Sequence, residues 1–272
     1  VEGKVHIGPT THTLLAGLDY SHVDFDRRNG FGAVPPLNLV TQNYGQQFIA
    51  TPLLTLGSHQ QQDQLGEYLQ EQMEWDRLTV TLTGRHDTVG SNTSVDSPAS
   101  FTRQVNDAFT GRAGANYRVL EGVSPYVSYA TTFAPNLGTT LAGQAFQPSR
   151  GEQKEAGVKT QVPKTDLHIN AAYFDIDQSN VLTQDPSNIA GQVTTGRLNS
   201  HGFEIEAIDN IAPGTNLTAS YTHLDVTIVD GTATTTGKKF SGIPGDTVAA
   251  FATYTPQTSQ PIGGLTVGGG VR

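Results

Sequence analysis

The chain has 272 residues, of which 36% are hydrophobic and only 15% charged, with a net charge of −9, no cysteine and one methionine. Without cysteine, disulfides and thiolate metal sites are excluded, and the acidic balance argues against nucleic acid, which needs a basic stripe to neutralise phosphates. Mean hydropathy is −0.32 and no apolar run approaches the ~20 residues of a membrane helix, whereas a β-barrel, which spans with about 9–11 alternating residues per strand, stays open.

In chain order, Thr11 to Phe25 alternates, with Leu14, Ala16, Leu18 and Tyr20 on one face and Gly17, Asp19 and Ser21 on the other. That is a period-2 strand. Arg27 to Leu56 has no periodicity, carries Pro35-Pro36 and Pro52, and reads as a long loop. A loop of this size counts against a compact soluble domain but is normal on the extracellular side of a barrel. Gln62 to Trp75 is ambiguous, because Leu65, Leu69 and Met73 fit a helix or a strand. Its neighbour decides for strand. Leu78 to Asp87 alternates cleanly, and Asp76-Arg77 is a two-residue hairpin link.

Thr88 to Asp107 is expected as a second polar loop, followed by strands at Ala108 to Tyr117 and Pro125 to Phe133. Ala134 to Gly151 is a Gly/Thr/Ala/Gln-rich loop, and Gln153 to Lys159 pairs with Leu167 to Asp177 across Pro163-Lys164-Thr165. Gln178 to Arg197 contains a further loop, with Asp185-Pro186 and Asn188. Ser200 to Ile208 and Asn216 to Val226 pair across Ala212-Pro213-Gly214, Asp230 to Gly245 is a loop, and Thr247 to Thr255 and Leu265 to Arg272 close the pattern. The sum is about eleven strands, with short turns at one end and long loops at the other, the asymmetry of outer-membrane barrels. No domain boundary interrupts residues 1–272.

Chemistry-bearing motifs are sparse. The eight histidines are scattered and none shows metal-ligand spacing. Glu204 and Glu206 share a strand face; they are read as lumen-facing, opposite lipid-facing Phe203, Ile205 and Ala207, rather than as a glycosidase pair. Gly263-Gly264 and Gly268 to Gly270 lack the strand–helix context of a phosphate loop, and no nucleophile elbow is present. No catalytic residue, metal site or cofactor is expected. Tyr20, Phe25, Tyr68, Trp75, Tyr117, Tyr126, Tyr129, Phe133, Tyr173, Phe174, Tyr221 and Tyr254 lie near strand ends, as interfacial aromatic girdles do.

The succession HTLLAGLDY, QLGEYLQEQMEWDRLTVTLTGRHD, DAFTGRAGANY, SPYVSYATTFAPN, GEQKEAGVK, SHGFEIEA and SYTHLDV resembles the barrel of TonB-dependent siderophore receptors, most closely the ferric hydroxamate (ferrichrome-type) branch. The resemblance runs in order over nearly the whole chain. It implies an all-β, antiparallel transmembrane β-barrel in a Gram-negative outer membrane, here about eleven of some 22 strands, from the middle to late part. The plug domain and TonB box are absent from this piece. Glu67, Gln153-Lys154 and His201 depart from the family's usual residues, and a lipid-facing Glu67 at mid-bilayer would cost about 2 kcal/mol or less.

What the resemblance implies is transport of a ferric siderophore, with Fe3+ carried by the ligand, powered by TonB with ExbB and ExbD through the missing plug. The expected partners are that ligand, the energy-coupling complex, and outer-membrane lipid and lipopolysaccharide, around a monomer. Another cargo (cobalamin, haem or a glycan) or a passive porin-like barrel are the alternatives, with a soluble carbohydrate-active β-protein as a third class. Aromatic ligand contacts are expected at Phe31, Tyr44, Phe101 and Phe109, in or beside extracellular loops; Phe109 resembles a mouth-lining position of the family.

Overall fold

The computed structural model describes all residues except 35, 37, 39, 42–47, 97–98, 141, 186–187, 232–233 and 257–263, and only the backbone of 56, 184, 188–190 and 195. Every regular element among the described residues is a strand: β1 (Glu2–Ile7), β2 (Thr10–Asn29), β3 (Thr55–Trp75), β4 (Leu78–Asp96), β5 (Ala99–Tyr117), β6 (Val123–Ala134), β7 (Ser149–Gln161), β8 (His168–Asp185), β9 (Asn188–Ala212), β10 (Thr215–Asp230), β11 (Asp246–Tyr254) and β12 (Val267–Val271). They form one 12-stranded sheet in which each strand pairs antiparallel with its neighbours in sequence. β1 and β12 stand at the two ends of that order.

Turn chemistry is local. Asp76 adopts φ 51° in the β3–β4 link, Lys164 φ 66° between β7 and β8, and Gly214 φ 80° between β9 and β10. The ambiguous segment at Gln62 to Trp75 is strand, paired with β2 and β4 along its length. Two expected loops are corrected. Most of Thr88 to Asp107 is strand, with β4 and β5 in register up to Asp96 against Ala99. Most of Gln178 to Arg197 is likewise strand, paired up to Asp185 against Asn188. Backbone hydrogen bonds hold a ladder whatever the side chains, and Thr, Ser and Val suit a pleated surface without alternating. β1 was not anticipated, because its residues are polar or isolated apolar ones.

Strand length separates these elements from a minimal barrel. β3 has 21 residues and β9 has 25, against the ~9–11 that cross a membrane. The ladders therefore continue well beyond the apolar band.

The two faces differ. Ser58, Asp87, Val89, Thr93, Ala108, Ala172 and Leu198 are nearly buried, and register places all of them on one face. This inner face is where side chains crowd together. Leu14, Leu18, Leu69, Leu82, Val127 and Ile205 are exposed and belong to the outer face. Glu204 and Glu206 pair with Thr222 and Ser220 on the inner face, while Phe203 and Ile205 point outward.

Candidate ligand-facing wall and membrane face

Alternation along β2 to β5 stacks the inner face into rows. The row Asp19–Gly66–Asp87–Ala108 is charged. Arg85, one row towards the short turns, donates from Nη1 and Nη2 to Asp19 at 2.5 and 2.9 Å and from Nε and Nη2 to Asp87 at 2.8 and 2.7 Å. Gln64 Nε2 adds a bond of 2.8 Å to Asp87 Oδ1. Asp87 is 4% exposed, so its charge is held by paired donors rather than by water. A Cβ at Gly66 would meet the Arg85 guanidinium and push it away from its place beside Asp87.

Beyond that row come Ser21–Gln64–Val89–Asn106, Val23–Gln62–Ser91–Gln104 and Phe25–Gln60–Thr93–Thr102. None of these twelve residues carries a formal charge. The other way, towards the short turns, the inner wall carries Arg112, Glu155, Lys159, Glu204 and Glu206. There Tyr126 donates to Glu155 at 2.6 Å, and Lys159 Nζ lies 5.3 Å from the Tyr126 ring centre.

The β6–β7 connection, residues 135–148, folds onto the uncharged rows. It forms a small hairpin bridged at Thr139 and Ala145, with Gly138 at φ 98° and Gly143 at φ 79°. Gln104 Nε2 donates to the Phe146 carbonyl at 3.0 Å, and Thr102 Oγ1 to the Gly143 carbonyl at 3.4 Å. On its other side Asn136 Nδ2 donates to the Asn180 carbonyl at 2.8 Å, and Asn180 Nδ2 to the Pro148 carbonyl at 3.0 Å. Phe146 is 3% exposed and Val89 fully buried. The connection has room because β5 and β6 pair only from Arg112–Ala130 to Asn116–Tyr126.

The outer face carries an apolar band between two aromatic belts. Trp75, Tyr117 and Tyr254 lie at the short-turn end; Tyr20, Tyr129, Tyr173, Phe203 and Tyr221 lie at the other. Phe25, Tyr68, Tyr126 and Phe174, expected in these girdles, instead face inward by register. Within the band, Glu71 is met by His12 Nδ1 at 2.7 Å, and Glu67 stands in the row Leu18–Glu67–His86–Phe109.

Beyond the second belt the outer face turns acidic. Tyr20 donates to Asp63 Oδ1 at 2.6 Å and His22 Nδ1 lies 2.8 Å from the same oxygen. The arrangement recurs at Tyr221, His223 and Asp246, at 2.7 and 2.9 Å. Asp24, Asp26 and His59 bring their ligand atoms within 4.8 Å of one another, across two strands where linear spacing could not reveal it. The hydrogen bond to Asp26 raises the His59 pKa above the ordinary histidine value, against a smaller effect of desolvation.

The aromatic ligand candidates are not brought together. Phe31, 95% exposed, lies on the β2–β3 connection, and Tyr44 falls outside the described residues. Phe101 and Phe109 are on β5, on the same outward parity as Ala113 and Ala115. Phe109 projects over Gly84 beside an outward groove of about 1260 Å3 lined also by Leu18, Leu69 and Leu82. The signal was present in the sequence, since Phe109, Gly111, Ala113 and Ala115 share one alternation phase. Gln104 went unnoticed because it lies where a polar loop was expected, and Gln60 and Gln62 because they stand before or at the start of a segment read only for its apolar residues.

Residues 1–272 match the family described as TonB dependent receptor-like, beta-barrel. The chain is 33% identical over 274 residues to the ferrioxamine B receptor of Salmonella typhimurium, covering all of this chain and 38% of the relative. It is also 33% identical over 280 residues to the ferrichrome outer membrane transporter/phage receptor of Escherichia coli, covering 37% of that protein. Among solved structures, the siderophore receptor PiuA of Acinetobacter baumannii superposes with a TM-score of 0.75 at 22% identity, over 99% of this chain and 44% of that one. The chain thus spans well under half the length of these relatives. With the antiparallel meander, the outward apolar band and the full-length family match, this chain belongs to the TonB-dependent receptor β-barrel family of the outer membrane.

Proposed function

We propose that the protein containing this chain takes up a ferric siderophore, of hydroxamate type, across the outer membrane by TonB-dependent transport. The observation that carries this reading is the match to two receptors named for ferrioxamine B and ferrichrome along the whole chain. The inner wall supports it. Its extracellular rows offer amides and hydroxyls, which donate and accept hydrogen bonds without a charge. The charged inner wall nearer the short turns, with Glu155, Glu204 and Arg112, is the surface that would face a plug. That plug would link the barrel to TonB, ExbB and ExbD.

In this reading the protein is a transporter with no resident cofactor; iron enters as part of the cargo. The same reading takes residues 1–272 as the middle to late strands of the barrel, which the family match along the whole chain supports as far as barrel goes. The outward band contacts lipid, the collar beyond it contacts lipopolysaccharide, and the receptor acts as a monomer. Phe31 and Tyr44 are retained as mouth aromatics on the β2–β3 connection. The decisive test is iron-limited growth of a receptor-deficient strain carrying the full gene, fed one siderophore at a time. Growth on a ferric trihydroxamate is expected. Growth on none, with uptake of cobalamin, haem or a glycan instead, would overturn the siderophore reading.

A further inference from the structure

The acidic collar on the outer face is not uniform. At Asp63 and at Asp246, one carboxylate oxygen takes both a tyrosine hydroxyl and an imidazole. A single charge is met there by two partners, and the cluster is closed. A third cluster on the same face is built differently. Asp24 and Asp26 stand two residues apart on the outward parity of β2, and His59 lies opposite Asp26 on β3. Here two carboxylates converge on one imidazole.

The aim of each oxygen carries the argument. His59 Nδ1 lies 2.8 Å from Asp26 Oδ1 and 3.6 Å from Asp24 Oδ1. The other oxygen of each carboxylate has a cationic or amide neighbour of its own. Gln61 Nε2 donates to Asp24 Oδ2 at 3.1 Å, and Arg28 Nη2 is 3.9 Å from Asp26 Oδ2. One oxygen of each aspartate is thus held from outside, and the other is turned towards the imidazole nitrogen. Carboxylates that ligate a metal are held in this way, with the far oxygen fixed by a neighbouring donor. Among the described residues, this is the one group of three His, Asp or Glu whose ligand atoms all lie within 4.8 Å of one another.

The spacing suits a small divalent ion. Ligand atoms bound at about 2.1 Å in a tetrahedron lie about 3.4 Å from one another. Asp24 and His59 are already near that separation, and the contact of Asp26 with His59 needs to open by about 0.6 Å. Rotation of surface side chains supplies this, since Asp24, Asp26 and His59 are 49, 47 and 37% exposed. One imidazole with two carboxylates is a donor set for Zn2+ and its neighbours, whereas Ca2+ and Mg2+ favour oxygen alone.

We propose that Asp24, Asp26 and His59 form a binding site for a divalent cation of the zinc type, with Gln61 and Arg28 as positioning residues. The site lies off the cargo path, because its three ligands have outward parity. The ligands come from two strands, so a bound ion clamps β2 to β3 close to where they part for residues 30–54. Three protein ligands leave at least one coordination position for water or an outside oxygen.

The test is calorimetric titration of the full-length receptor in detergent with Zn2+ and, separately, Mg2+. Zn2+ should bind about 10-fold or more tighter than Mg2+. Other histidines can add equivalents, so the readout is the equivalent lost: one in His59→Ala and, independently, one in Asp24→Asn. Gln61→Leu keeps all three ligands and should weaken the same equivalent about 10-fold. Zn2+ should also slow backbone hydrogen exchange at residues 26–29 and 55–59 in the wild type and not in His59→Ala. The same Zn2+ stoichiometry in the wild type and both ligand variants would overturn the site, as would equal affinity for Mg2+. Loss of the equivalent with no change in exchange would overturn the clamp. None of these results touches the siderophore reading, which concerns the inner face.

Discussion

The same strand ends carry two opposite surfaces. On β2 and β3 the inward residues beyond Asp19 are Ser21, Val23, Phe25, Gln64, Gln62 and Gln60, with Arg27 and Ser58 at the rim, whereas the outward ones include His22, Asp24, Asp26, Asp63, Gln61 and His59. Sequence neighbours are thus sorted by parity into a neutral wall and an acidic collar. Nothing in backbone pairing demands this, since either face would sustain the ladder. The difference therefore reports on what each face meets: crowded neighbours and a folded connection inside, water and the membrane margin outside.

The comparison breaks most severely if a charge is moved into the apolar band. Leu82→Arg, on the outward row Leu14–Glu71–Leu82–Ala113, should destabilise the full-length barrel by about 2–4 kcal/mol. Thr83→Arg, one residue on and inward, should cost far less. Urea unfolding in lipid vesicles measures both, and equal losses would mean that the faces are assigned the wrong way round.

Next in size is the charged boundary of the inner wall. Arg85→Met leaves Asp87 almost buried and without its main partner. A loss of about 2–3 kcal/mol is expected, at or just below the low end for a broken buried pair, because the arginine itself is partly open to water. The double variant Arg85→Met with Asp87→Leu should recover much of that loss. No recovery would show that Arg85 acts through packing alone.

A smaller effect sharpens the role of the folded connection. Gln104→Ala removes the bond to Asn106 on its own strand and the one to the Phe146 carbonyl; only the latter, worth about 1 kcal/mol, holds the connection. Hydrogen exchange of the amides of Thr140, Gly143 and Phe146, which are bonded within the hairpin, should then quicken about fivefold. An unchanged rate would mean that Phe146 burial alone holds it.

The smallest effect lies on the collar. His59 gains a partner in Asp26, so its pKa is raised on folding. Its stabilising contribution is complete below the ordinary histidine value of 6.5 and fades as pH rises through the folded value. NMR titration of the His59 ring should show the raised midpoint. In Asp26→Asn the midpoint should fall back towards the ordinary value; if it stays, the pairing with Asp26 is not its cause.

Much of this was readable from residue order. Leu78 to Asp87 announced its strand by alternation, Asp76-Arg77 announced the hairpin, and GEQKEAGVK and SHGFEIEA carried the family resemblance. Reading failed where alternation failed. Thr88 to Asp107 is polar on both parities because beyond the membrane neither face needs to be apolar, so a paired ladder looked like a loop. Phe101 and Phe109 were drawn towards the mouth by their proximity to that supposed loop, although parity places them outward.

By itself, then, the sequence determined the all-β class, the band-spanning strands and the family, since these rest on local alternation and on short motifs. Tertiary structure alone decided where residues 135–148 go, how far the polar ladders extend, and that Arg85, beside Asp87 on β4, reaches across β3 to Asp19 on β2. Those outcomes depend on contacts between residues as much as 66 positions apart. No local pattern encodes them, because they depend on register and on which neighbours leave space open.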